Sequence, residues 1–190
     1  MNPATSTTGT AARIRAIPAL CRAGLSLSVA ATAACGALLS GSLRDAVVAF
    51  SAVLLLAGGA SALNQVQERD DDRRLARTRE RPIPTGAVSV RQAGVMAALL
   101  LLAGFAILAV GSRDFAPLLP ALAALVLYNG VYTPLKQITA AAILPGAVAG
   151  ALPPIIGAAV GGAIPLSAIV LAGVILLWQI PHTWLVELQH

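Results

Sequence analysis

At 190 residues the chain has the length of one ordinary soluble domain, but 57% apolar residues, 11% charged residues and a mean hydropathy of +0.82 exclude that class. The net charge of +5 is crowded beside apolar segments, so it speaks for membrane topology before it speaks for any nucleic-acid partner. Composition therefore points to an all-α, polytopic transmembrane helical bundle embedded in a lipid bilayer.

Residues 1–14, largely small and polar without periodicity, are expected to form a disordered tail, and residues 15–190 one transmembrane domain. A bilayer core about 30 Å thick takes roughly 20 apolar residues per helical span. About six stretches qualify, at residues 22–42, 45–65, 92–112, 115–134, 138–161 and 164–186. The first follows Arg13, Arg15 and Arg22, the order of a secretory signal. An integral multi-span chain needs no cleavage, so a retained span is expected. Cys21 and Cys35 stand about 21 Å apart along one helix, beyond disulfide reach, and are expected to be inert.

If the N-terminus is cytoplasmic, 11 of the 13 basic residues fall on its side and only Arg44 and Arg113 on the other. That bias places the N-terminus and the loop after span two on the cytoplasmic face of an inner (plasma) membrane. Span five carries Pro145, Pro153 and Pro154 with glycines at four-residue intervals from Gly146. Prolines break helices, and a broken helix in lipid must face protein or a cavity. Close packing and a cavity wall both remain open.

Three polar clusters fall at the cytoplasmic ends of spans. The stretch "NQVQERDDDRRLARTRERP", Asn64 to Pro82, holds five acids and six arginines. Asn64, Glu68 and Asp72 are spaced i, i+4, i+8, so a helix continuing out of span two stacks three oxygen-bearing side chains on one face. Mg²⁺ prefers such oxygens together with substrate phosphates. Asp70 adds a further carboxylate, and the arginines supply forked donors for phosphate. "RPIPTGAVS" then turns the chain back toward span three. The second cluster puts Tyr128, Tyr132 and Lys136 four apart on span four, and the third is "LWQIPHTW" on span six, with Trp178, Gln179, His182 and Trp184. Polar groups at that depth are functional candidates. A solvated basic loop, an interfacial tyrosine belt and an interfacial histidine are the bland alternatives.

Taken together these motifs resemble the intramembrane prenyltransferases of the UbiA superfamily, whose first metal motif is N-x-x-x-D-x-x-x-D. The sequence carries Asn64, Glu68 and Asp72 there, with glutamate in the middle position. "ERDDDRRLARTRERPIPTG", "YTPLKQ" and "WQIPH" are most similar to the protoheme IX farnesyltransferase branch. The resemblance implies a helical bundle around a lipid-facing cavity, Mg²⁺ as cofactor, farnesyl diphosphate as donor and haem B as acceptor. It also implies haem O as product and an association with oxidase assembly machinery. Carried over, Asn64, Glu68, Asp70 and Asp72 hold metal, Arg77, Arg81, Lys136 and Tyr132 bind diphosphate, Trp178 and Gln179 bind substrate, and His182 contacts the haem acceptor or assists proton transfer. Asp72, Lys136 and His182 are the catalytic candidates.

In that family a second acidic motif follows the sixth span, where this sequence reads "VELQH", with Glu187 as its one acid. A C-terminally truncated or shortened member is the expectation. Two other readings use the same residues: a prenyltransferase acting on a quinone precursor or chlorophyll-type ring, and a membrane scaffold whose basic loop binds anionic lipid.

Overall fold

The computed structural model describes residues 16–188, with side chains described through His182. The expected tail at 1–14, Arg15, and the side chains of Trp184 and Glu187 lie outside the described residues. A short helical segment at 16–20 leads into α1 (Ala23–Leu38), α2 (Leu43–Gln67) and the single-turn-and-a-half α3 (Arg69–Arg74). After a loop come α4 (Val90–Gly111), α5 (Leu118–Leu125), a π-helical turn (Val126–Tyr132) and α6 (Thr133–Leu135). A 3-10 turn (Ala140–Ala142) opens α7 (Ile143–Ala151), followed by α8 (Pro153–Val160) and α9 (Leu166–Leu188). Among the described residues there is no strand, and the all-α expectation holds.

Among the described residues four helical stretches, Leu43–Gln67, Val90–Gly111, Leu118–Leu135 and Ala140–Val160, are long and apolar enough to cross a bilayer, and Ala23–Leu38 and Leu166–His182 are shorter apolar helices. They occupy the six expected positions. The first is shorter than the expected 22–42 because Ser42 caps the next helix. Its hydroxyl accepts from the Asp45 amide at 3.4 Å while the Asp45 carboxylate accepts from the Ser42 amide at 2.8 Å. This reciprocal cap satisfies two otherwise orphaned donors and fixes the turn. Asp45 also collects Arg44 and Arg113, each at 3.6 Å. The two bases assigned by sequence to one side of the membrane thus meet at one end of α2, about 35 Å from Glu68 by helical rise.

α2 is the central rod, packed against α1, α4 and α8. Its alanines (Ala46, Ala49, Ala52) are buried with Leu108, Ile156 and Val160 in the main core. Small side chains dominate because lipid supplies no hydrophobic drive between helices, so attraction comes from close backbone approach. The closest is between α1 and α8: a Cβ at Gly157 would land on the Ala33 carbonyl, and one at Gly36 on the Pro154 carbonyl. Gly157→Ala is expected to destabilise the protein by about 1–3 kcal/mol through overpacking. Gly173→Ala, with nothing within 4 Å, is expected to be neutral. Thermal unfolding of both variants in detergent checks the pair.

Span five breaks at Leu152, where Pro153 and Pro154 remove two backbone donors at the start of α8. The break divides its labour. Gly146, Gly150 and Pro153 line a cavity, while Pro154 and Gly157 pack on α1.

Candidate active site

The site begins where α2 runs out. The helix pauses at Glu68 (φ −92, ψ 4), yet Glu68 N donates to Asn64 O at 2.9 Å and Asp72 N to Glu68 O at 2.8 Å. The i, i+4 register therefore survives the pause, and Asn64, Glu68 and Asp72 stack as their spacing predicts. All three are buried. Buried carboxylates require partners, and each has a cation. Arg81 Nη1 lies 2.7 Å from both Asp72 oxygens and 3.6 Å from Glu68, while Lys136 pairs with Glu68. Two acids and two bases form one neutral cluster.

The loop at 75–89 exists to bring Arg81 there. The buried Thr78 hydroxyl donates to the Asp72 carbonyl at 3.1 Å. Ile83 and Val88 anchor the loop among Leu20, Ala62 and Ala93. Gly86 adopts φ +76, which the turn requires and only glycine takes without strain. Ser89 and Gln92 then form a second reciprocal cap that starts α4.

Lys136 arrives on an aromatic ladder. Tyr128 and Tyr132 stack at 5.6 Å between centroids, and the Lys136 ammonium sits 5.0 Å from the Tyr132 ring. The π turn carrying both tyrosines is held by Asn129, whose amide donates to the Ala60 carbonyl at 3.0 Å and to Gln67 Oε1 at 3.1 Å. π turns occur frequently at functional sites. Asn64 is oriented from two sides, its amide donating to Thr133 Oγ1 at 3.0 Å and its oxygen accepting from Arg22 Nη2 at 3.3 Å. Arg22 also reaches the Tyr128 hydroxyl at 3.5 Å, from a left-handed backbone (φ 45). A non-glycine residue held there is strained, and such strain gathers at functional sites.

Arg22, Asn129 and Thr133 were absent from the sequence-derived set. Asn129 was detectable as an amide inside an apolar span. Arg22 was hidden among topological charges, since nothing in the sequence marks its backbone conformation. Of the expected residues, Asn64, Glu68, Asp72, Arg81, Tyr132 and Lys136 converge. Asp70 points to solvent, 3.4 Å from Arg69 and 3.7 Å from Arg73, and Arg77 is exposed. Gln179 lines the cavity. Trp178 and His182 stack on each other at 4.5 Å on an exposed face of α9.

One turn back along α2 from Asn64, Ala60 and Ser61 line a cavity of about 250 Å³. It exceeds the ~150 Å³ that accommodates benzene, so it is no packing defect. Its walls are apolar apart from Ser61, Tyr128 and Gln179. No three His, Cys, Asp or Glu side chains converge as a closed metal cage among the described residues. The donor set nevertheless fits Mg²⁺, which takes one or two carboxylates and completes its shell with phosphate oxygens and water. Glu68 and Asp72 would be those carboxylates, with Asn64 beside them. A polar head of buried acids and cations above an apolar chamber fits an amphiphile with a charged end and a hydrocarbon tail.

The sequence profile of the UbiA prenyltransferase family matches residues 25–190. The chain belongs to the UbiA prenyltransferase family. Among UbiA relatives, it is 48% identical over 145 residues to a protoheme IX farnesyltransferase of Geobacter sulfurreducens, covering 75% of this chain and 53% of that protein. A protoheme IX farnesyltransferase of Nitratidesulfovibrio vulgaris is 45% identical over 142 residues, with coverages of 73% and 49%. The chain thus spans about half the length of these relatives. The fold matches a UbiA homologue from Archaeoglobus fulgidus, solved with DMAPP and Mg²⁺, with a TM-score of 0.74 at 22% identity over 88% of this chain and 62% of that one. As a UbiA-family protein it is an integral membrane protein.

Proposed function

We propose that residues 15–190 act as one transmembrane unit that transfers the farnesyl group of farnesyl diphosphate to a vinyl side chain of haem B, yielding haem O. The observation that carries this reading is the meeting of Glu68, Asp72, Arg81 and Lys136 above an apolar chamber. The similarity to named protoheme IX farnesyltransferases supplies the acceptor. The motif loop and N-terminus face the cytoplasm of an inner (plasma) membrane, following the 11 to 2 division of basic residues. The product's use in terminal oxidases implies delivery to oxidase assembly machinery.

Each residue has a chemical task. Breaking the allylic C–O bond leaves negative charge on diphosphate, and Arg81 and Lys136 stand ready to receive it. Arg81 contributes a planar fork and Lys136 a mobile point charge. Bound Mg²⁺ supplies Lewis-acid stabilisation of the departing diphosphate. Asn64, fixed by Arg22 and Thr133, holds an oxygen beside the two carboxylates. Tyr128 joins head and chamber, its hydroxyl meeting Arg22 and its side chain lining the cavity, where an aromatic ring would stabilise a developing allylic cation. The apolar walls keep water from capturing that cation.

Mass spectrometry of haem extracted after incubating membranes containing this chain with farnesyl diphosphate, Mg²⁺ and haem B tests the reading. The expected result is haem heavier by one farnesyl group and one hydroxyl, because the farnesyl group adds to one vinyl carbon, water supplies OH to the other, and diphosphate and a proton leave. Unmodified haem alongside tight farnesyl diphosphate binding would reduce the reading to diphosphate binding alone. Product with 4-hydroxybenzoate in place of haem would replace the acceptor.

A further inference from the structure

We propose that Val53, Ala121 and Ile156 form a closed floor that measures the prenyl chain and limits it to fifteen carbons. This rests on the diphosphate reading of the cluster above. Three helices run along the chamber in known register, so its depth can be counted. From Asn64 to Val53 on α2 is 11 residues, about 16 Å of helical rise. Gly146 to Ile156, down α7 and α8, is a similar descent of roughly 15 Å. On the third wall Tyr128 stands near the head and Ala121 lies two turns deeper.

Val53, Ala121 and Ile156 are 3%, 3% and 2% exposed. Beneath them the same buried core cluster continues as Ala49, Leu108 and Val160. An extended carbon chain advances about 1.2 Å per bond, as an extended polypeptide does. The twelve main-chain carbons of a farnesyl group therefore reach roughly 14 Å, and the sixteen of a geranylgeranyl group roughly 19 Å. Only the first fits above the floor. Because the interior is close-packed, one added or removed side chain at this level shifts the limit instead of being absorbed.

The test is competition binding, with Mg²⁺ and the full chain in detergent, using geranyl, farnesyl and geranylgeranyl S-thiolodiphosphates. Wild type is expected to bind the farnesyl probe at least tenfold more tightly than the geranylgeranyl probe. Ala121→Leu, which raises the floor, should lose the farnesyl probe by tenfold or more while keeping the geranyl probe, and that retention also shows an intact fold. Ile156→Ala, which lowers the floor, should gain the geranylgeranyl probe. Equal binding of farnesyl and geranylgeranyl probes in all three proteins would overturn the floor while leaving the diphosphate site standing, the longer tail then leaving sideways past the half-exposed Leu25. If none of the probes binds, the diphosphate reading itself falls and the floor with it.

Discussion

On the proposed reaction, Asp72→Asn is expected to lower haem farnesylation by at least about 10²–10³-fold, the range associated with losing one preorganised charge-stabilising group. Asparagine keeps the shape and one oxygen but removes the charge. Removing one partner of a buried ion pair typically destabilises by about 3–5 kcal/mol. Arg81 is not so confined: its side chain is 24% exposed and Glu68 lies 3.6 Å from the same nitrogen. It can turn to water or to Glu68, so the stability loss should stay nearer the ~1 kcal/mol of an exposed pair. Activity should therefore collapse while the unfolding temperature in detergent moves only a few degrees. A variant that transfers farnesyl at the wild-type rate would remove Asp72 from the chemistry. Asp70→Asn is the matched comparison, because Asp70 faces solvent with Arg69 and Arg73, and it should keep activity within about twofold, as surface substitutions usually leave a protein nearly unchanged.

Helical periodicity made the rods and the acidic register readable in advance. A charge run placed at i, i+4, i+8 can only stack, provided the helix persists past the membrane, and the backbone bonds through Glu68 supply that persistence. The broken fifth span was equally legible from Pro153 and Pro154. Its division between cavity wall and packing surface was not, because glycines serve both purposes with the same spacing. What sequence could not show is mostly what arrives from afar. Arg22 meets the Asn64 side chain from 42 positions away, and Thr133 meets it from 69, and neither separation leaves a periodic trace. The "WQIPH" motif illustrates the opposite case: Trp178 and Gln179 are neighbours in sequence, yet one helical step of about 100° puts the first on the exposed face with His182 and the second in the chamber wall.

Lys136→Met is expected to produce two opposed effects that no merely structural role would give. In wild type Glu68 is already neutralised by Lys136, and Asp72 by Arg81. A divalent cation arriving alone must displace those partners, so Mn²⁺, used as a spectroscopic substitute for Mg²⁺, should bind weakly without diphosphate. When diphosphate is present the two cations can turn to its oxygens and release the carboxylates. Metal and diphosphate affinities are then coupled, and the coupling is reciprocal. Methionine at 136 removes the ammonium from Glu68 and leaves it only the longer 3.6 Å contact with Arg81, so Mn²⁺ affinity in the absence of diphosphate should rise. Farnesyl diphosphate affinity should fall, and the transfer rate should drop by about 10²–10³-fold, equivalent to roughly 2.7–4 kcal/mol of lost leaving-group stabilisation. Arg77→Gln, a loss of the same unit charge at an exposed position, should alter neither affinity beyond about twofold at 0.15 M salt, where the screening length is about 8 Å. Electron paramagnetic resonance titration of Mn²⁺ with and without diphosphate separates the outcomes. A Lys136→Met protein whose metal affinity is unchanged would show that Lys136 supports the Tyr132 ladder and takes no part in exchanging charge with the site.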